Sequence, residues 1–161
     1  MAYANMRGTI ETASGLMGNR LARIGPEDRY LNRHPEYGNS MYDFHNDGTG
    51  VCYSSRLRPI INIRPTHSWL WQLSADMHLL EWLEAQDLAF DVITDEDMHQ
   101  EGVSLLERYR CVITCTHPEY YSTPMWDAVH AFTQSGGRFM YMGGNGFYWR
   151  VAYRDDKPGV M

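Results

Sequence analysis

A short segment, HPEYYS at residues 117–122, puts an imidazole, a carboxylate and two phenols into one turn. Its His117 and Glu119 stand two positions apart and suit three roles: a pair of metal donors, an acid–base pair, or a polar turn that only satisfies backbone groups ahead of a helix. The turn follows the apolar run CVITC (111–115) and precedes a helical pattern that opens with Pro124. It therefore leaves the carboxyl end of an expected buried strand, where open α/β sheets gather their ligands, and that location favours a functional turn.

A second loop, GGNG at 143–146, leaves the next expected strand. It matches neither the dinucleotide nor the phosphate-loop pattern, and Phe147-Tyr148-Trp149 does not read as a helix start. Its glycines would let backbone approach closely while Asn145 supplies an amide; as a plain Asn-Gly turn it would need neither role. Tyr42 to Gly48 has the acidic spacing of a calcium loop but lacks the distal Glu and the flanking helices, so a polar surface loop is the better reading. Arg56 and Arg58 could fix a carboxylate or brace this loop, and bracing is the expectation. His78 and His130 fall in helical patterns, and His34, His67 and His99 stand without sequence partners, so structural or solvated roles are expected for all five. Cys52, Cys111 and Cys115 form neither a CxxC nor an even framework, which argues against zinc and disulfides.

These loops need elements to hold them. Ser74 can cap a helix to about Gln86, with Met77, Leu79, Leu80 and Leu83 on its apolar side. Phe90–Thr94 reads as a strand, Asp95-Glu96-Asp97 as an acidic helix start, and Val103 to Tyr109 as a second short helix. After the strand Cys111–Cys115, Thr123 is the expected cap with Pro124 at the first helical position, and Met125, Val129 and Phe132 line one face. Gly136-Gly137 stops that helix, and Arg138–Met142 is the next strand. Alternation at this spacing implies an α/β fold with a mainly parallel sheet covered on both faces. Upstream, glycines weaken a short helix between Asn5 and Arg23, and Gly25 to Gly50 reads mostly as loop. The expected organisation is a single α/β domain over 1–161 with a long, irregular, aromatic-rich insertion over 25–68.

The chain has 161 residues, 43% of them hydrophobic and 13% aromatic, enough for a real core. A net charge of −6 and scattered Lys and Arg make nucleic acid an unexpected partner. No apolar run approaches the roughly 20 residues of a membrane span, and the N-terminus lacks a signal-peptide pattern. The expectation is a cytoplasmic protein without a membrane partner.

Four ordered segments, YDFHNDGTGVCYSSRLRP (42–59), DVITDEDMHQEG (91–102), THPEYYS (116–122) and GGNGFYWR (143–150), resemble the large, catalytic subunit of N,N-dimethylformamidase. The opening AYAN (2–5) is similar to the family's stretch just after its first core strand. The resemblance covers nearly the whole chain. It implies a flavodoxin-like, glutamine-amidotransferase-like three-layer sandwich whose first strand would precede Met1, so that this chain is a portion of a longer subunit. It also implies a mononuclear, ferric, non-haem iron held by Tyr3, Tyr42 and Glu119, with His117 and Asn145 beside the metal as supporting or substrate-orienting groups. Phenolate and carboxylate are hard oxygen donors suited to ferric iron, and three anions balance its charge. The partners implied are a small amide substrate, the remaining domains, a small subunit and an oligomeric assembly. The leading expectation is thus an iron-dependent amidohydrolase that splits a small N-substituted formamide into formate and an amine. The alternatives are a non-catalytic binding or assembly module, and a cysteine amidotransferase using Cys115, which lacks the expected Gly-x-Cys-x-Gly elbow.

Overall fold

The computed structural model describes residues 25–61, 63, 65 and 73–161. Two compact units emerge: Met1–Ala75 with Tyr153–Met161, and Asp76–Ala152. The expected helix between Asn5 and Arg23, and His67, lie outside the described residues. Among the described residues no helix is long and apolar enough to cross a membrane.

In the first unit, the stretch expected as mostly loop opens with helix α1 (Pro26–Arg33). Asp28 closes its start by accepting from the Gly25 amide at 2.8 Å, and Glu27 and Asp28 in the first turn with Arg33 in the last oppose the helix dipole. Among the residues of this helix only Asp28 and Leu31 are buried, too few to give a legible apolar periodicity. A 3-10 turn, Pro35–Tyr37, follows. The acidic loop then folds on itself: Phe44 bridges Gly50 in antiparallel fashion, and the Asp47 carboxylate accepts from both the amide and the hydroxyl of Thr49. These are turn-forming bonds, in keeping with a polar surface loop. Ser54 and Met161 exchange backbone bonds of 2.9 and 3.0 Å, and the Arg56 amide donates to Gly159 at 3.1 Å, tying the chain's last residues to the stretch after that loop.

Helix α2 (Leu73–Ala85) leads into the second unit. Ser74 sits inside this helix and is buried, so it is not the cap expected for it. Next come α3 (Asp95–Glu101), α4 (Val103–Leu106), β1 (Cys111–Ile113), β2 (Tyr120–Tyr121), α5 (Thr123–Gln134), β3 (Arg138–Met140) and β4 (Trp149–Arg150). Strands β1 and β3 pair in parallel, with Cys111 opposite Arg138 and Ile113 opposite Met140; β2 and β4 form a second parallel pair. The element α5 is therefore the crossover helix of a β–α–β unit, as the alternation requires. Met98, Leu105, Leu106, Met125, Ala128, Val129 and Phe132 are buried where α3, α4 and α5 meet.

Two local expectations change. Phe90–Thr94 is not assigned as a strand: among the described residues no strand pairs with it, and Leu88, Phe90 and Val92, which alternate along it, are 50%, 36% and 69% exposed. An apolar alternation supplies a face, but a strand also needs a neighbour to bond. The cap of α5 is Ser122 rather than Thr123: its hydroxyl accepts from the Met125 amide at 3.4 Å and also meets His99 Nδ1 at 2.7 Å. The helix ends as its sequence implies. Gly136, at φ +92°, donates to Thr133 and Gly137 donates to Phe132, the paired bonds that close a helix on a left-handed glycine.

Phe132 is 2% exposed at the centre of this helical layer. Phe132→Ala is expected to destabilise the protein by roughly 3–5 kcal/mol through lost burial and a residual cavity. Urea denaturation checks this, and a midpoint within error of the parent would contradict the core assignment.

Candidate functional site

The two loops that leave β1 and β3 are knitted together backbone to backbone. Beyond the paired strands the Thr114 amide donates to the Met140 carbonyl at 3.0 Å, and the Thr114 hydroxyl accepts from the Met142 amide at 2.9 Å. A side-chain oxygen thus prolongs the ladder where the strands begin to part. Gly144 then donates to the Thr116 carbonyl at 3.0 Å, Phe147 to Pro118 at 3.1 Å, and Tyr148 and Trp149 both donate to the Glu119 carbonyl, at 2.9 and 3.0 Å. From the other side, the buried Asp76 carboxylate accepts the Thr116 amide at 2.9 Å.

This closeness depends on glycine. A Cβ added at Gly143 would overlap the Thr116 and Cys115 carbonyls, whereas one at Gly144 would stand 3.6 Å from His117 Nε2 in ordinary contact. The loop's turn requires positive φ at two residues that are not glycine: Asn145 at +52° and Phe147 at +54°. Asparagine tolerates that region, but a phenylalanine there carries about 1–3 kcal/mol of strain. Stacking on Tyr121 at 4.3 Å and an edge contact with Trp126 at 5.0 Å hold the Phe147 ring, and the Tyr141 hydroxyl accepts the Gly146 amide at 2.7 Å.

On this frame stand three of the five candidate residues. His117 and Glu119 are half-buried on the first loop, where the Glu119 amide donates to the His117 carbonyl at 2.9 Å. The His117 ring faces Gly144, beside the exposed Asn145. Tyr42 belongs to the other unit, where it is 38% exposed and its amide donates to Ser40 Oγ. Tyr3 lies outside the described residues. Among the described residues no group of three or more His, Cys, Asp and Glu is placed to hold a metal.

Electrostatics narrow the chemistry. Burial, then the negative charges of Asp76 and Asp95, push the Cys115 thiol up to about 11, although the residue as a whole is exposed. At neutral pH it is a protonated thiol and a poor nucleophile, which argues against the cysteine amidotransferase alternative. Burial also raises the Tyr121 phenol well above its ordinary value, with Asp95 and Tyr141 adding to the effect, so Tyr121 stays neutral and acts in packing.

Asp76, Thr114 and Tyr141 escaped the sequence reading. An acid in the first turn of a helix is explained by the dipole alone, and nothing local shows that its carboxylate caps an amide 40 positions away. Of the histidines expected to lack partners, His99 meets Ser122, while His34 stacks on Tyr30 at 4.1 Å and meets Glu36 at 2.6 Å.

A family model described as "N,N-dimethylformamidase beta subunit-like, C-terminal" matches residues 1–161. The N,N-dimethylformamidase beta subunit of Paracoccus aminophilus is 43% identical over 167 residues, covering 100% of this chain and 22% of that protein. The beta subunit from an Alcaligenes species is 45% identical over 129 residues, covering 78% of this chain and 17% of that protein. The chain spans about a fifth of the length of these relatives, and both names designate one subunit of a larger enzyme.

Two outcomes test the geometry. Gly143→Ala should lower thermal stability and disturb the amide signals of Thr116 and Gly144, while Gly144→Ala leaves both near the parent; equal behaviour of the two would refute the close approach. Iodoacetamide should label Cys115 slowly near neutral pH and faster as the pH rises toward about 11, because only the thiolate reacts. Peptide mass mapping reads this, with the exposed Cys52 as internal comparison.

Proposed function

This chain belongs to the N,N-dimethylformamidase beta subunit-like C-terminal family, and on that premise we propose that it forms part of an iron-dependent amidohydrolase. The reaction is addition of water across the amide of N,N-dimethylformamide, or a related small N-substituted formamide, giving formate and an amine. The observation that carries this reading is the knitted loop pair, which presents His117, Glu119 and Asn145 together at the carboxyl edge of a parallel strand pair. The same reading takes the fold as a flavodoxin-like three-layer sandwich in a longer, oligomeric catalytic subunit with a smaller partner subunit.

The donor chemistry fits the metal. Glu119 and Tyr42 offer carboxylate and phenolate oxygen, and with Tyr3 they would supply three hard anions, the set that suits ferric iron. Iron bound there would supply Lewis acidity toward an amide carbonyl. The chain's own contribution is position. The Glu119 backbone is fixed by three hydrogen bonds, one donated by its amide and two accepted by its carbonyl. His117, two residues away, orients that carboxylate or the amide substrate, and the Asn145 side chain donates to a substrate oxygen. Tyr121, neutral and stacked on Phe147, keeps the loop's apolar flank closed.

A second reading, a non-catalytic binding or assembly module of this family, draws support from the relatives' names, which designate one subunit of the enzyme. Metal content separates the two. In the purified protein, Glu119→Gln should release most of the iron, because a neutral amide is a poor donor, while His117→Ala keeps most of the iron and loses turnover. Tyr42→Phe should weaken or shift a broad visible band. A colourless protein with stoichiometric ferric iron would sink the phenolate assignment. An iron-free protein that still assembles with its partner would favour the module.

A further inference from the structure

We propose that Asp76 is a positioning residue for His117, fixing through Thr116 the backbone from which the imidazole projects. The assignment rests on the catalytic reading, which makes His117 an orienting group, and names what orients His117 in turn. An acid in the first turn of α2 would normally face water, where the helix dipole explains it. Asp76 is instead 4% exposed, and a buried carboxylate is costly unless it is bonded. Its Oδ1 accepts the Thr116 amide at 2.9 Å across 40 positions of sequence.

The bonds of the turn divide between its two candidate residues. On the other side of Thr116, its carbonyl accepts the Gly144 amide at 3.0 Å, so both backbone polar groups of the residue before His117 are engaged. The Thr116 hydroxyl is buried and makes no hydrogen bond, so this hold runs through backbone alone. Glu119 is held differently: its carbonyl accepts from Tyr148 and Trp149, and neither bond passes through Asp76. A Cβ at Gly144 would stand 3.6 Å from His117 Nε2, so the imidazole lies against the second loop and any shift of Thr116 moves it relative to that loop. Asp76 therefore bears on the imidazole more than on the Glu119 carboxylate. A reporter stands one residue before Thr116: after burial, the Asp76 charge is the next cause that raises the Cys115 thiol.

The test compares Asp76→Asn, which keeps an oxygen for the Thr116 amide and loses the charge, with Asp76→Ala, which loses both. Iodoacetamide should label Cys115 faster near neutral pH in both variants, since removing a nearby negative charge favours the thiolate. The Thr116 amide and His117 imidazole NMR signals should move in Asp76→Ala and stay near the parent in Asp76→Asn. In the iron-loaded enzyme Asp76→Ala should lower kcat about tenfold or more, with iron content and KM near the parent, while Asp76→Asn keeps most of the turnover. Added to His117→Ala, it should cost little more, because the two act by one route. An unmoved imidazole signal in Asp76→Ala, additive losses in the double variant, or release of iron by Asp76→Ala overturns the positioning role. Should Asp76→Ala fail to fold, hydrogen exchange in the parent still decides: the Thr116 amide should exchange slowly, and fast exchange overturns the capture. A protein without iron or turnover would refute the catalytic reading, while the Thr116, His117 and Cys115 signals would still decide the placement.

Discussion

The close approach of the Gly143 backbone to the carbonyls of Cys115 and Thr116 is the constraint on which the candidate site depends. Two chains that leave parallel strands normally diverge, because nothing obliges them to stay within bonding distance. Here the missing Cβ permits contact, and bonds from Gly144, Phe147, Tyr148 and Trp149 to carbonyls of the first loop then follow in sequence. Thr114 fills the one place where the ladder would otherwise lose an acceptor, and Asp76 captures the Thr116 amide on the far side. A buried carboxylate that lost this amide would be left poorly solvated, so the two features hold one another in place.

That frame explains a backbone conformation which is otherwise unfavourable. Phe147 occupies the left-handed region because aromatic neighbours from β2, α5 and the end of β3 surround its ring, and the strain is offset by packing that a relaxed loop would forfeit. That cluster and local burial remove water from the Tyr121 phenol, and burial does the same for the Cys115 thiol. Both groups are thereby kept neutral near carboxylates. The carboxylates of Asp76 and Asp95 lie on the Cys115 side of the strand pair, close enough to raise its thiol further.

Within the longer relatives, a region of this size need not hold a complete catalytic set. Glu119 and Tyr42 reside in different compact units, each with its own internal bonding, and the relatives extend several times beyond the matched region. Each stretch is held by its own turn: Asp43 accepting the Ser40 amide in one, and the Tyr148 and Trp149 amides donating to the Glu119 carbonyl in the other.

Much of the second unit was legible before any tertiary structure. Apolar spacing and punctuation by Pro124 and Gly136-Gly137 define α5 within a residue or two, and the runs CVI and RFM become a parallel pair joined by that helix. The pairing of HPEYYS with GGNG as neighbouring loops also follows from element order, because both leave strand ends on one edge. Other features were not legible. The true cap at Ser122, the unpaired state of Phe90–Thr94, the short helix at Pro26–Arg33, and the reach of Asp76 to Thr116 each depend on a partner distant in the chain or on too few apolar residues to show a period. Sequence by itself determined which backbone segments could be helices, turns and buried strands, since those follow from local sterics and side-chain period. Tertiary structure alone decided which of them touch, and so which thiol and phenol are desolvated and which glycine is obligatory, because burial and distance are properties of the packed chain.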